Sequence, residues 1–212
     1  MPLICIKDID NCTRLGLWKI SKDENLEDFR PLAIRQSLYK LCAARRTETA
    51  AVYATLKAME RQHDFVICHE PSGKPFLQKE DGSAYKCYIS VSHTHGYACL
   101  MMSTSRPVAI DIEYRSNRVS RIVERFMRKD EMEECNANDC ETMLTRQLIY
   151  WCAKETAYKL YSDKNLTFQQ IRISSIGGTI KREGEFLCQN MIDGETNTFK
   201  YWQNEDFIMT YH

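Results

Sequence analysis

Val108-Ala109-Ile110-Asp111-Ile112-Glu113 and, further along, Trp151-Cys152-Ala153-Lys154-Glu155-Thr156-Ala157-Tyr158-Lys159 are the stretches on which the reading of this chain turns. The first alternates apolar and acidic residues. Successive side chains of a strand point to opposite faces, so Asp111 and Glu113 share one face and Ile110 and Ile112 the other. The second continues a helical stripe of Leu144, Leu148, Trp151 and Cys152, whose next member is Glu155, with Lys159 one turn beyond. Charge on an inward stripe is costly unless a partner neutralises it. If the strand face and the helix stripe meet, Asp111, Glu113 and Glu155 gather three carboxylates at one place, and hard oxygen donors select Mg²⁺ or Mn²⁺. Taken singly, each feature has a plainer reading. Alternating acids commonly line the solvent face of an edge strand, and Glu155 with Lys159 is an ordinary i,i+4 pair worth about 0.3–0.5 kcal/mol on a surface.

Composition sets the outer limits. A chain of 212 residues has room for one large domain or two small ones. Lys plus Arg and Asp plus Glu both number 29, so the formal net charge is zero. No global field recruits nucleic acid or a membrane surface, and neither is expected as a partner. Apolar runs are too short to span a bilayer, and Met1-Pro2-Leu3-Ile4-Cys5 lacks the charged leader and apolar core of a secretion signal, so a cytoplasmic location is expected. The ten cysteines are scattered, with no C-x-x-C pair and no histidine at zinc-finger spacing, which predicts reduced thiols and no structural zinc.

The pattern along the chain is mixed α and β. Strands are expected at 14–20, 65–68, 87–91, 97–102 and 108–114, then at 171–173, 185–188, 199–202 and 207–211. Helices are expected at 32–59, 119–135 and 141–161, a turn-rich loop at 71–82, and turns at Gly177-Gly178 and Asp193-Gly194. Glu48-Thr49-Ala50 in the first long helix recurs as Glu155-Thr156-Ala157 in the second, an echo short enough to arise by chance.

Five motifs fall in an order that carries a family resemblance. Ser72-Gly73-Lys74-Pro75-Phe76-Leu77 resembles a G-K-P segment, and Tyr88-Ile89-Ser90-Val91-Ser92-His93-Thr94 an N-x-S-H-S segment. Ile110-Asp111-Ile112-Glu113 resembles G-I-D-I-E, Arg125-Phe126-Met127 with Glu131 an R-F-F…E segment, and Trp151 to Lys159 the pattern W-x-x-K-E-x-x-x-K. Together they resemble the 4′-phosphopantetheinyl transferases, in the longer single-chain type that serves peptide, polyketide and fatty-acid carrier proteins.

The resemblance implies an α+β fold of two similar halves related by a pseudo-twofold axis, with coenzyme A in their shared cleft. The halves would be 1–104 and 105–212, the second carrying the metal site. It implies a Mg²⁺-dependent reaction (or Mn²⁺-dependent) in which a serine of an apo acyl or peptidyl carrier protein attacks coenzyme A and adenosine 3′,5′-bisphosphate leaves. Asp111, Glu113 and Glu155 would hold the metal. Arg45, Arg46, Lys74, Ser92, His93, Lys154 and Lys159 would meet the cofactor's phosphates, with Lys159 preferred over Lys154 for charge that builds during transfer. The base for the serine is Glu131 or a water on the metal, and a carrier-facing surface is expected at 119–132, beside Glu131. A monomer is expected. The sequence departs from the family at Ala109, where glycine is usual, at Thr94 for the second serine, and at Tyr53, where an arginine contact to coenzyme A is usual. Two rivals stand beside the transferase: a Mg²⁺-dependent phosphohydrolase, and a degenerate member that binds coenzyme A or a carrier protein without turnover.

Overall fold

The computed structural model describes residues 3–21, 42–61, 64–136, 139–176 and 179–212, in two compact units, Met1–Val108 and Ala109–His212. In the first unit, β1 (Leu3–Asp10) and β2 (Thr13–Lys19) form a hairpin, followed by the helix α1 (Ala43–Met59). Four strands succeed it: β3 (Phe65–His69), β4 (Pro75–Lys79), β5 (Ala84–Thr94) and β6 (Tyr97–Ser103). They make one antiparallel sheet in the order β1-β2-β6-β5-β4-β3.

Helix α1 lies over β2 and β6. Its buried face is built largely of small residues, Ala50, Ala51 and Ala54, which let the helix come close to the sheet. The approach is tightest at Gly16, where an added Cβ would stand 2.5 Å from Thr55 Cγ2 and 2.6 Å from Met59 Sδ. Only a residue without a side chain fits beneath that turn of the helix. Tyr53 anchors the same helix to β3, its hydroxyl accepting a hydrogen bond from Ile67 N at 3.0 Å.

The second unit opens with β7 (Ile110–Tyr114), runs through the short helices α2 (Val123–Phe126) and α3 (Lys129–Cys135), and then the long α4 (Cys140–Leu160). Asp139 caps α4 by accepting from Thr142 N at 2.8 Å. Strands β8 (Ile171–Ser174), β9 (Glu183–Asn190), β10 (Thr196–Gln203) and β11 (Phe207–Tyr211) follow, and the sheet order is β7-β11-β10-β9-β8, again antiparallel. The core of this unit packs Leu148, Ile149, Ala153 and Ala157 of α4 with Ile171, Phe186, Phe199 and Ile208 of the sheet.

Each unit therefore repeats one topology: the strand before the long helix (β2 or β7) pairs with the last strand of the four-strand meander that follows it, and the first unit adds β1 outside β2. The fold is α+β with two similar halves, as the sequence led us to expect. Three expectations need correction. The loop at 71–82 contains β4, with Pro75 at its first position, where a missing N–H is tolerated. The strand β1 was not anticipated. The single helix at 119–135 is broken, because Met127 and Arg128 are extended and Glu131 Oε2 accepts from Arg128 N at 2.7 Å to start α3 afresh. The start of the first helix at residue 32 and the Gly177-Gly178 turn lie outside the described residues. Among the described residues, no helix is long and apolar enough to cross a membrane.

Candidate active site

Strand β7 pairs with β11 so that Asp111 stands opposite Thr210 and Glu113 opposite Ile208. Helix α4 crosses these two strands. Thr156 Oγ1 lies 2.6 Å from Thr210 Oγ1, and the Cys152 thiol reaches Ile208 O at 3.6 Å. The acidic face of β7 consequently looks at the helix. Lys159 Nζ donates to Asp111 Oδ1 at 2.8 Å and to Ile110 O at 2.9 Å. The Trp151 indole N–H donates to Glu113 Oε1 at 3.0 Å, and Arg118 lies 3.2 Å from the same oxygen. Glu155 sits on α4 one turn from both Trp151 and Lys159 and is half-buried.

Electrostatics show that the three acids share a neighbourhood. Burial, then the negative charge of Asp111, pushes Glu155 up to about 7; Lys159 opposes this and Glu113 adds to it. The Cys152 thiol is held well above its ordinary range by burial and by the same two strand carboxylates. The strand face and the helix flank meet, so the solvent-face reading of the two acids fails; Asp111 is only 6 % exposed.

Among the described residues, no group of three His, Cys, Asp or Glu side chains is closed around a metal position. Here the ammonium of Lys159 rests on Asp111, while Arg118 and Trp151 engage Glu113. In kind, the donors still fit a hard divalent cation. Three mutually repelling carboxylates, one with its proton affinity raised to neutrality, are what such an ion relieves.

Two of the expected site residues belong elsewhere. Glu131 is 1 % exposed and Lys154 0 % exposed, and they form an enclosed ion pair at 2.7 Å. Glu131 also accepts from Ile173 N at 2.7 Å and from Arg128 N, and Lys154 also donates to Phe168 O at 3.0 Å and to Ile171 O. Burial depresses the affinity of Lys154 for its proton, and the Glu131 carboxylate opposes this. These side chains tie α3, α4 and β8 together. In this arrangement both oxygens of Glu131 and the ammonium of Lys154 are engaged inside the core and neither faces solvent, where the sequence had placed them toward the carrier serine and the phosphates.

In the first unit the structure gathers Arg45 and His93. Arg45 Nη1 lies 3.0 Å from His93 Nε2, and His93 Nδ1 lies 3.1 Å from Glu48 Oε2. Glu48 was not among the residues singled out for the site, although it opens the Glu-Thr-Ala echo. Ser92 is buried and, as the strand neighbour of His93, faces the other side of the sheet, so its hydroxyl does not join this cluster. Arg46 follows Arg45 on the first turns of α1. Lys74 lies before β4, where its backbone N–H donates to Ser72 Oγ and its carbonyl accepts from Glu70 N. Tyr53, expected in place of a cofactor-binding arginine, is a core anchor whose hydroxyl is pushed up to about 12 by burial. Ala109 is fully buried, and its carbonyl accepts from His212 N at 2.9 Å.

Residues 107–211 match the family model of the 4′-phosphopantetheinyl transferase superfamily. No curated protein matches the chain. The matched segment takes in Asp111, Glu113, Glu155 and Lys159 and coincides almost wholly with the second unit. This segment, whose strand acids and helix acid converge, is a domain of the 4′-phosphopantetheinyl transferase superfamily.

Proposed function

We propose that the chain moves the 4′-phosphopantetheine arm of coenzyme A to a serine of an apo acyl or peptidyl carrier protein, releasing adenosine 3′,5′-bisphosphate, and that it is of the longer single-chain type. The observation that carries this reading is the convergence of Asp111, Glu113, Glu155 and Lys159 inside the segment that matches the superfamily.

Asp111, Glu113 and Glu155 would hold Mg²⁺ or Mn²⁺. When bound, that ion supplies positive charge to the pyrophosphate oxygens. Lys159, held beside the acids by its bond to Asp111, would act as a preorganised donor to the phosphate on which charge grows. Arg45 and His93 of the first unit are assigned to phosphate groups of the cofactor, since guanidinium and imidazole N–H groups suit phosphate oxygens. Arg46 and Lys74 add positive charge for the same ligand. The enclosure of Glu131, whose two oxygens are engaged in the core, favours a water on the metal over Glu131 as acceptor of the serine proton.

Incubation with coenzyme A, MgCl₂ and a panel of apo carrier proteins, followed by intact mass, tests the proposal. A carrier that gains one phosphopantetheine supports it, and Asp111→Ala or Glu155→Ala should abolish the gain while leaving the fold intact. Coenzyme A breakdown without a modified carrier would select the hydrolase. Binding without any product would select the degenerate member.

A further inference from the structure

Helix α4 is tied to β11 at two levels, and each level is the ladder position of one strand acid. The Cys152 thiol donates to Ile208 O at 3.6 Å, and Ile208 stands opposite Glu113. One turn on, Thr156 Oγ1 lies 2.6 Å from Thr210 Oγ1 and 3.2 Å from Thr210 O, and Thr210 stands opposite Asp111. Four residues of helix advance about 6 Å and two residues of strand about 6.6 Å, so the two levels match in length. The helix residues that face the acids keep the same order. Trp151, beside Cys152, reaches Glu113, and Lys159, a turn past Thr156, reaches Asp111. Glu155 is the chain neighbour of Thr156. Both threonines are 0 % exposed, where a hydroxyl needs a partner, and here each hydroxyl has the other. A thiol is a weak donor, so the hydroxyl pair is the stronger of the two links.

We propose that Thr156 and Thr210 are positioning residues that set the register of α4 on β11, and through it the separation of Asp111 and Glu155 on which divalent-metal affinity depends. The inference rests on the reading that Asp111, Glu113 and Glu155 hold the metal. The hydroxyl pair does not touch the ion; it acts through the neighbours of each threonine. Contacts of Ala153 and Ala157 with the core are non-directional and set the height of the helix, whereas the hydroxyl pair sets its place along the strand. A slip of one residue would carry Glu155 about 1.5 Å along the helix axis, whereas ligand distances in a metal site hold to about 0.2 Å.

The test is Mn²⁺ titration of the whole protein, with and without coenzyme A, the free ion being read by electron paramagnetic resonance. Coenzyme A alone supplies the blank. Wild type should bind an ion that Asp111→Ala loses. Thr156→Val combined with Thr210→Val removes both hydroxyls at nearly constant shape, a change close to neutral for stability. The urea midpoint of this double variant should stay near that of wild type while its Mn²⁺ affinity falls about tenfold, the effect of losing a group that orients a ligand. The Mn²⁺ concentration for half-maximal carrier modification should rise by the same factor, with the KM for the carrier unchanged. Thr156→Ser and Thr210→Ser keep the hydroxyls and should keep the affinity. Wild-type Mn²⁺ affinity in the double variant would overturn the proposal. Serine variants as weak as the valine pair would overturn it too, since packing of the methyl groups would then set the register. Should the double variant not fold, Thr156→Ala takes the same measurement, and unchanged affinity there counts equally against the proposal. A wild-type protein that binds no Mn²⁺ through Asp111 would overturn the metal reading itself, and the proposal with it.

Discussion

The two units share a topology but fill the seam between the long helix and the strand that precedes it in opposite ways. In the first unit, the face of β2 under α1 presents Gly16 and Trp18, and the helix settles onto it with alanines, Thr55 and Met59. In the second, the equivalent face of β7 presents Asp111 and Glu113, and α4 answers with Glu155 and Lys159. One seam is closed with carbon and the other holds charge. The Glu-Thr-Ala echo falls at opposite ends of the two helices, Glu48 near the start of α1 and Glu155 near the end of α4, although Ala50 and Ala157 are both buried and Glu48 and Glu155 both half-buried. What surrounds the glutamate differs. Glu48 lies among cationic groups and Glu155 among acids. The charged seam thus takes two residues from the strand, Asp111 and Glu113, and two from the helix, Glu155 and Lys159.

The contrast extends to how each helix is held, and here the largest effect is expected. Lys154→Met should destabilise the protein by about 3–5 kcal/mol, seen as a lower urea midpoint, because Glu131 would be left buried without its counter-ion. Adding Glu131→Leu should recover most of that loss; if the double variant is no better than the single, the pair is not what holds the helix. The other lysine of the same helix should behave in the converse way. Lys159→Ala, at a pair more open to solvent, should destabilise the protein less than Lys154→Met and lower kcat by roughly 10²–10³ under saturating coenzyme A. A raised KM with kcat intact would assign it to binding instead.

A third prediction concerns the charged seam without metal. The folded-state value of Glu155, about 7, lies above its unfolded value near 4.5, so the unfolded chain gives up this proton first. Stability is full below about pH 4.5 and is lost as pH rises through about 7, by roughly 2 kcal/mol after discounting for partial exposure. In EDTA the melting temperature should fall between pH 5 and pH 8 and should fall less in Glu155→Gln. An identical fall in the variant would mean that another group is responsible. Least affected is the carbon-filled unit: Tyr53→Phe, which forfeits one hydrogen bond to Ile67 N, should cost about 1 kcal/mol and leave transfer intact.

Periodicity made most strands and the long helix α4 legible, because their buried and exposed positions alternate at fixed spacing. The meander β8 to β11 is the clearest case. Strand β4 was hidden by the glycine and proline around it, and the break at Met127-Arg128 by an apolar pattern that runs on through it. For the site, Asp111, Glu113, Glu155 and Lys159 could be brought together on paper since two periodicities, one of strand and one of helix, converge on them. Sequence gave no such handle on Lys154 and Glu131. Both carry charge, and nothing local distinguishes a lysine that faces a ligand from one whose ammonium is capped by carbonyls of a later segment. Glu48 was missed for the opposite reason, since its partner His93 lies on a strand far along the chain and the helix alone shows only a half-buried acid.

The pairing of β7 with β11 also fixes when the acidic seam can exist. Strand β7 is the first part of its unit to leave the ribosome and β11 the last, and Asp111 finds its ladder partner Thr210 only after everything between them has been made. Until then the nascent chain carries two carboxylates on an unpaired strand with no surface to face. Contacts of such long sequence separation form late and slowly. The unit must therefore be completed in full before it can become competent, and a stalled chain would carry α4 and the acids of β7 without the strand β11 that seats β7 in the sheet.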